Sequence, residues 1–211
     1  MGMFVSMAVE DPHRYMMWVL CVIFSICLHE FAHAIVAKWQ GDTTAEDMGH
    51  LTLNPMIQMG PMALIILCLA GIAWGAVPVD PRQMRHRYSH ALVAFAGPAM
   101  NLLLWVLGVL GFVLAMKMAP ENQTLHMAFF QLASLNLLLA LFNLIPASPL
   151  DGWTVAAFFF PKLEQASDEV KGGITIGLFA LAFISPMIGF LYNLSGDVSW
   201  AVGSFLLTQL S

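Results

Sequence analysis

The sequence predicts an all-α polytopic membrane protein, a helical bundle of about four to six transmembrane segments. Composition is the first reason, because 59% of the 211 residues are hydrophobic and only 10% are charged. A soluble domain carries about 25% charged residues, so this chain cannot hide its apolar side chains in one aqueous core. The second reason is a set of five long apolar runs, several of which reach the roughly 20 residues that a spanning helix needs. They occupy residues 16–37, 56–77, 91–116, 127–145 and 174–194.

We expect one membrane-embedded domain over residues 1–211, with a core at about 16–155 and C-terminal helices at 174–211. A shorter apolar run, residues 198–210, is predicted to lie at the membrane interface. The net charge of −5 is scattered and forms no basic stripe, so nucleic acid is not an expected partner. The chain begins without a positively charged segment, and its first long helix is therefore expected to insert it into the lipid bilayer.

The first long apolar run contains three ionisable side chains near its C-terminal end. They are His29, Glu30 and His33, in the sequence His-Glu-Phe-Ala-His. An ionisable group in hydrocarbon costs roughly 2.5 to 3.5 kcal/mol, so the three together need a compensating partner. Residues i and i+4 of a helix project from one face, and both imidazoles can therefore reach a single metal ion. Glu30 lies on the adjacent flank, where it can act as a general base toward a water molecule.

A zinc ion held by two histidines needs a third protein ligand and a fourth position that stays open to water. The candidate ligand is Asp151, which follows a long apolar helix in the sequence FNLIPASPLDGW. Pro146 and Pro149 end that helix and Gly152 permits a sharp turn, so the Asp151 carboxylate can be directed back into the bundle. We therefore expect one Zn²⁺ per chain at His29, His33 and Asp151.

The region after the first helix is expected to depart from simple spanning helices. Residues 40–55 are polar and end in a strand-like alternation at Leu51, Thr52 and Leu53, which favours a short β-hairpin. The next run, residues 56–77, either spans the membrane or enters and returns as a re-entrant segment. The positive-inside rule does not choose between these topologies, because each places six basic residues inside and two outside.

The depth of the metal ligands favours the re-entrant segment. His33 and Asp151 each lie at the C-terminal end of a helix, so the two helices must run in the same direction. The loops at residues 77–90 and 160–173 hold three and two of the eight basic residues and are expected to be cytoplasmic. The active site is then expected toward the cytoplasmic side. Residues that suit a non-spanning backbone within the run are Gly60, Pro61, Gly71 and Gly75.

Five short sequences, in order, resemble those of the site-2 protease family of intramembrane zinc metalloproteases, in its compact prokaryotic branch without a PDZ domain. They are HEFAH (29–33), HLTLNP (50–55), VPVDP (77–81), AGPAMN (96–101) and NLIPASPLDG (143–152). The resemblance, which covers about residues 20–155, implies that the two histidines and Asp151 bind zinc. It also implies that Glu30 is the catalytic base and that Asn143 lies beside the substrate.

The same resemblance implies a multi-pass protein of the prokaryotic cell (inner) membrane that cleaves helices of membrane-tethered proteins. A helical substrate must unwind before attack, and the predicted strand at residues 51–53 could bind the extended segment by edge addition. Asn143 could donate a hydrogen bond to the developing oxyanion. Three positions depart from the family pattern: Gly60 where an acidic residue is common, Asp80 where asparagine is usual, and Trp153 where glycine is common.

Two other classes of protein remain open. A metal transporter would also carry intramembrane histidine and aspartate, although spread along a path through several helices. A pseudoprotease would bind client proteins without cutting them, but it would usually lack the base or a ligand. Outside the site, Asn101, Asn136 and His126 are predicted to be interhelical hydrogen-bond partners. Gly97 and Pro98 are predicted to begin a closely packed helix, and solvated loops are predicted for His50, His86 and His90.

Overall fold

A computed structural model describes residues 3–163, 165–184 and 187–209. Within these ranges the regular structure is helical, with ten α-helices and one 3₁₀ turn at Pro81–Gln83. The helices are α1 (Met3–Glu10), α2 (Pro12–Gln40), α3 (Thr44–Asp47), α4 (Pro55–Gln58), α5 (Gly60–Ala70), α6 (Ser89–Met118), α7 (Gln123–Asn143), α8 (Asp151–Phe159), α9 (Asp168–Ile184) and α10 (Met187–Gln209).

Three helices of the described chain, α2, α6 and α7, are long and apolar enough to cross a membrane. The Asp11 side chain caps α2 by accepting a hydrogen bond from the backbone N–H of Arg14. The helix ends at Gly41, whose φ of 103° is a left-handed conformation that glycine adopts without strain. The chain is thus a multi-pass membrane protein, with three candidate spans in the described ranges where the sequence predicted four to six.

The packed face of α2 carries both apolar residues and metal ligands. Val19, Val22 and Ile26 are buried in an apolar core with α5 and α7. The next residues on this face, at spacings of three and four, are His29 and His33. The helical period that seats α2 in the bundle therefore also directs both imidazoles inward.

The apolar run at residues 56–77 does not form one spanning helix. It forms α4, α5 and a non-helical stretch, and we call residues 72–79 the return segment. The Tyr15 hydroxyl donates to the Cys68 carbonyl at 2.8 Å, which places the end of α5 beside the N-terminal part of α2. The return segment must then cover most of the length of α2 in about ten residues, so its backbone is extended.

The chain comes back to the end of α2 from which it departed. The backbone N–H of Asp80 donates to Asp42 Oδ2 at 2.7 Å, and the N–H of Arg85 donates to the Gln40 carbonyl at 2.9 Å. Both ends of this excursion are therefore fastened beside the C-terminal end of α2. This is the path that a re-entrant segment requires.

The β-hairpin predicted within residues 40–55, with a strand at residues 51–53, is wrong, because the described residues contain no β-strand. Gln58, which is 1% exposed, supplies the physical reason. Its Nε2 donates hydrogen bonds to the carbonyls of His50 and Thr52, so a side chain occupies acceptors that a neighbouring strand would use. Asn54 then caps α4 by accepting from the backbone N–H of Met56 at 3.0 Å.

The predicted C-terminal run at residues 174–194 is divided between two helices. Helix α9 ends at Ile184 and α10 begins at Met187, with residues 185 and 186 outside the described ranges. The run at 198–210, predicted to be interfacial, forms the end of α10 as far as the described chain extends. Trp105 Nε1 donates to Ser199 Oγ at 3.1 Å, which shows that this part of α10 packs on α6.

Candidate active site

The three predicted metal ligands converge at one point in the helix bundle. His29 Nε2 lies 3.1 Å from Asp151 Oδ2, and His33 Nε2 lies 3.4 Å from Asp151 Oδ1. The two Nε2 atoms are 3.0 Å apart. Both histidines are buried, and at the helical rise per residue His33 lies about 10 Å and His29 about 16 Å inside the C-terminal end of α2. In the described part of the chain, this is the one group of three or more histidine, cysteine or acidic side chains that could hold a metal ion.

One face of α6 orients both imidazoles. Val93, Gly97 and Asn101 follow one another at intervals of four residues, and we call this face the α6 wall. His33 Nδ1 lies 2.7 Å from the Val93 carbonyl, and His29 Nδ1 lies 2.6 Å from Asn101 Oδ1. Because a carbonyl oxygen only accepts, His33 carries its proton on Nδ1 and presents a lone pair at Nε2.

Gly97 provides the space at the ligand atoms. A Cβ atom at this position would collide with Nε2 of both His29 and His33. Gly97 and Pro98 lie inside α6, which begins at Ser89, so the prediction that they begin a helix is wrong. The close packing predicted there is confirmed, but the surfaces brought together are a helix backbone and two imidazole rings.

The donor set fits a divalent cation. When both rings are neutral and carry their proton on Nδ1, their Nε2 atoms are unprotonated, so two lone pairs and a carboxylate face one another. Asp151 Oδ2 is buried and accepts no hydrogen bond from the described residues, although His29 Nε2 is close to it. Groups in this arrangement repel one another unless a positive charge lies among them. Two imidazole nitrogens and one carboxylate form a set that zinc commonly takes in catalytic sites.

The turn before α8 brings Asp151 to the histidines. Asp151 is the first residue of α8, and the preceding turn is closed by a 2.9 Å hydrogen bond from the N–H of Leu150 to the Ala147 carbonyl. Gly152 packs on the end of α7, where a Cβ atom would collide with the backbone of Leu144 and Ile145. Close approach of two backbones is thus the reason for this glycine, and the carboxylate is directed into the bundle as predicted.

A cavity of about 690 Å³ adjoins the three ligands, and its lining includes Glu30 and Asn143. The return segment passes directly beside the Glu30 carboxylate, because a Cβ atom on Gly75 would collide with it. Asn143 Nδ2 donates to the Leu139 carbonyl at 3.1 Å. Large apolar side chains occupy much of the rest of the lining: Trp74, Val77, Val79, Leu139 and Phe142.

The structure also locates the polar residues that the sequence assigned to other roles. Asn101 Nδ2 donates to Asn136 Oδ1 at 2.8 Å, which confirms an interhelical pair. His126 of α7 is also confirmed as an interhelical partner, since its Nε2 contacts the Ala119 carbonyl at the end of α6 at 2.9 Å. His50 is not simply solvated, because its Nδ1 atom is buried. His90, which was also predicted to be solvated, lies in the cavity lining.

Comparison with known proteins gives the family. The sequence profile described as Peptidase family M50 matches residues 17–124, about half of the chain. YwhC of Bacillus subtilis (strain 168) is 36% identical over 176 residues, 80% of each chain. Rip2 of Mycolicibacterium smegmatis is 37% identical over 157 residues, 71% of this chain and 60% of that one. Rip2 of Mycobacterium tuberculosis (strain H37Rv) is 32% identical over 190 residues, 82% of this chain and 72% of that one.

All three relatives are named as candidate zinc metalloproteases. No solved structure shows a significant match to the chain. Asp151 lies beyond the part matched by the family profile, so its place in the site rests on the geometry. The profile match, the relatives and the zinc-compatible ligand set together identify this chain as a member of peptidase family M50, the site-2 protease family of zinc metalloproteases.

Proposed function

We propose that the protein hydrolyses peptide bonds within or near transmembrane helices of membrane-tethered substrate proteins. One observation carries the proposal: the candidate ligands and Glu30 lie inside a helix bundle, well within the length of α2. A peptide bond must therefore come to the depth of the bundle to be cut. A transmembrane segment already lies at that depth, whereas a soluble peptide would have to leave water to reach it.

His29, His33 and Asp151 would hold the zinc ion, with Glu30 beside it at the cavity. Bound zinc supplies Lewis acidity, which polarises a scissile carbonyl and lowers the pKa of water toward neutrality. Glu30 accepts the proton of the attacking water and then gives it to the leaving amine. The Glu30 side chain faces Gly75, so the return segment limits the positions that the Glu30 carboxylate can take.

Asn143 is proposed to stabilise the transition state from the opposite side of the cavity. Its amide carries two N–H groups, and one of them donates to the Leu139 carbonyl within α7. That bond orients the side chain and leaves the second N–H as a donor to an oxyanion or to the substrate backbone. A donor that is fixed before the reaction needs little reorganisation as charge develops.

The return segment is proposed to hold the unwound substrate. Within residues 72–79, one backbone hydrogen bond joins the segment to the rest of the described chain, from the N–H of Ala76 to the Gln58 carbonyl. Most of its peptide groups can therefore form hydrogen bonds with a second extended chain. This is the edge addition of substrate that was predicted for residues 51–53 from the sequence. The apolar side chains around the cavity are suited to the side chains of a membrane helix.

We further propose that the active site faces the cytoplasm of a prokaryotic cell. The C-terminal end of α2 is hydrogen-bonded to the loop that carries Arg82, Arg85 and Arg87, through the contact between Arg85 and Gln40. Loops rich in arginine remain on the cytoplasmic side of a membrane. The histidine ligands lie in the half of α2 that is nearer to this end, which supports a reaction on the same side.

The experiment measures bound zinc and proteolysis on the same liposome preparations. Wild type is compared with Glu30→Gln, Asp151→Asn and the exposed control Glu121→Gln, using a fluorescent single-span helix as substrate. We expect near one zinc per chain and cleavage in wild type and in the control. Glu30→Gln should retain the metal and lose at least about 100-fold in cleavage rate, whereas Asp151→Asn should lose both.

The same samples separate the other two classes. A transporter would move zinc into the liposomes, and Glu30→Gln would then alter flux without any proteolysis in wild type. A pseudoprotease would bind the substrate helix and zinc while leaving the helix intact. Cleavage that is unaffected by Glu30→Gln would exclude the proposed role of the base.

A further inference from the structure

A buried chain of hydrogen bonds connects α7 through α6 to the first metal ligand. Asn136 Nδ2 donates to the Leu132 carbonyl at 2.8 Å and to Ser25 Oγ at 2.9 Å. Asn101 Nδ2 donates to Asn136 Oδ1, and Asn101 Oδ1 meets His29 Nδ1 at 2.6 Å. Both asparagines are completely buried, with 0% exposure.

The direction of each hydrogen bond in this series follows from its first acceptor, the Leu132 carbonyl. The Leu132 carbonyl can only accept, so the Asn136 amide must turn its nitrogen toward Leu132 and its oxygen toward Asn101. That oxygen in turn selects the nitrogen of the Asn101 amide and leaves the Asn101 oxygen facing His29. His29 must then donate from Nδ1, and its lone pair is on Nε2.

We propose that Asn101 and Asn136 are positioning residues of the metal centre, a two-amide relay that fixes the tautomer and ring orientation of His29. The inference rests on the proposed role of His29 as a zinc ligand. Donation of the second ring N–H of a ligand histidine to a fixed acceptor holds the ring and makes the ligand nitrogen more basic.

The relay is needed because the acceptor for His29 is an amide. His33 meets a backbone carbonyl, which has no alternative orientation. An Asn101 side chain without Asn136 could rotate by half a turn and present its NH₂ group to His29. The imidazole would then accept at Nδ1 and carry its proton on Nε2, where that proton would block metal binding.

The test measures zinc affinity by competition with a chromophoric chelator, for purified full-length protein in detergent. The variants are Asn101→Leu, Asn136→Leu, Asn101→Asp and the double variant Asn101→Asp with Asn136→Leu. A carboxylate at position 101 accepts from His29 in either orientation, so it does not need the relay. Ser134→Ala is the matched control, because Ser134 is buried on α7 and bonds to the Phe130 carbonyl outside the relay.

We expect Asn101→Leu and Asn136→Leu each to weaken zinc binding by about 10- to 100-fold, with Ser134→Ala unchanged. In the Asn101→Asp background, the Asn136→Leu substitution should no longer weaken binding. If Asn136→Leu weakened zinc binding equally with and without Asn101→Asp, the relay would be overturned. Asn136 would then contribute through packing alone. Wild type that binds no zinc would instead overturn the proposed metal centre, so the two failures are distinct.

A second measurement needs no substitution in the relay. Wild type labelled with ¹⁵N-histidine and stripped of zinc is compared by NMR with a His29→Gln sample, which identifies the His29 resonances. The relay requires a proton on Nδ1 of His29, so the neutral ring must have an unprotonated Nε2. A neutral His29 ring with its proton on Nε2 and none on Nδ1 would overturn the inference even if a leucine variant failed to fold.

Discussion

Two sides of the cavity are built in different ways. On the α6 wall, Asn101 and the Val93 carbonyl each bind one imidazole, and the partners are 72 and 60 residues apart in the chain. On the other side, the return segment is a stretch of extended backbone, and among the described residues one backbone hydrogen bond, from Ala76 to Gln58, joins it to its surroundings. The α6 wall holds both imidazoles through hydrogen bonds to their Nδ1 atoms, whereas the return segment approaches the Glu30 carboxylate with the backbone of Gly75.

This difference separates two requirements of the chemistry. Metal ligands must be held before the reaction, and bonds between long helices hold them because each helix is itself rigid. Under the proposed function a substrate helix must unwind and enter the cavity, which favours a wall whose peptide groups are not already hydrogen-bonded. We therefore expect damage to the α6 wall to affect metal binding, and damage to the return segment to affect turnover.

The largest effect is expected from Gly97→Ala on the α6 wall. The added methyl group would occupy the space between the two Nε2 atoms, so zinc binding should weaken by at least about 100-fold and proteolysis should be lost with it. Chelator competition and substrate cleavage measure both. Gly177→Ala in α9, where no heavy atom lies within 4 Å of the added Cβ, is the matched control. Normal zinc binding by Gly97→Ala would mean that the two helices separate at little cost.

The next effect is expected from Gly75→Ala in the return segment. Its methyl group would displace the Glu30 carboxylate, and a shift of about 1 Å in a catalytic group can cost about 100-fold in rate. Zinc affinity should stay as in wild type, because the three atoms nearest to the added Cβ all belong to Glu30 and none to a metal ligand. Steady-state kinetics and zinc titration separate the two quantities, with Gly173→Ala as a control in open space. Loss of zinc in Gly75→Ala would break the distinction between the two sides.

A smaller effect is expected from Asp42→Ala, which removes the fastening of the return segment. The Asp42 carboxylate is fully buried and accepts from the backbone N–H groups of Thr44 and Asp80. Leaving these groups without an acceptor should lower the free energy of unfolding by about 1–3 kcal/mol and raise KM. Zinc affinity should not change. Asp47→Ala, at an exposed position nearby, serves as the comparison in thermal unfolding.

The smallest effect is expected from Asp80→Asn, a position at which asparagine is usual in the family pattern. The backbone N–H of Asp80 would still donate to Asp42, and only the contact with the exposed Arg82 would change. Hydrogen bonds from Arg82 lower the pKa of the Asp80 carboxyl group to about 2. Any stability that this pair contributes is present at neutral pH and is lost only as the pH falls through about 2. Activity and unfolding midpoint at neutral pH should therefore match those of wild type. A clear loss of either would mean that the Asp80 carboxylate itself holds the return segment in place.

The ligands could be predicted from the sequence because each depends on local geometry. His29 and His33 share a helix face at a spacing of four residues, and Asp151 follows two helix-breaking prolines. The direction of Asp151 into the bundle needed only the turn that Pro146 and Pro149 impose. These features all lie within a few residues of the metal ligands in the sequence.

The parts that could not be predicted depend on how distant segments align. No local pattern sets the register of α6 against α2. The sequence therefore predicted an interhelical hydrogen bond for Asn101 but could not identify His29 as its partner. The alternation at residues 51–53 is a local β-pattern, but the Gln58 amide occupies the carbonyls that a strand partner would need. The glycine at position 75 indicates a close contact of the backbone, but the sequence does not indicate that the contact is with the Glu30 carboxylate.

The bond between Asp42 and Asp80 closes residues 43–79 into an insert whose two ends meet. The cost of closing such a loop rises by only about 0.6 kcal/mol for each doubling of its length. The closure cost therefore does little to restrict the length of this stretch, whereas the packing of its Met59, Ala63 and Leu67 in the apolar core with α2 does. Under the proposed function, this insert carries the segment that holds the substrate, whereas the three zinc ligands lie outside it on α2 and α8.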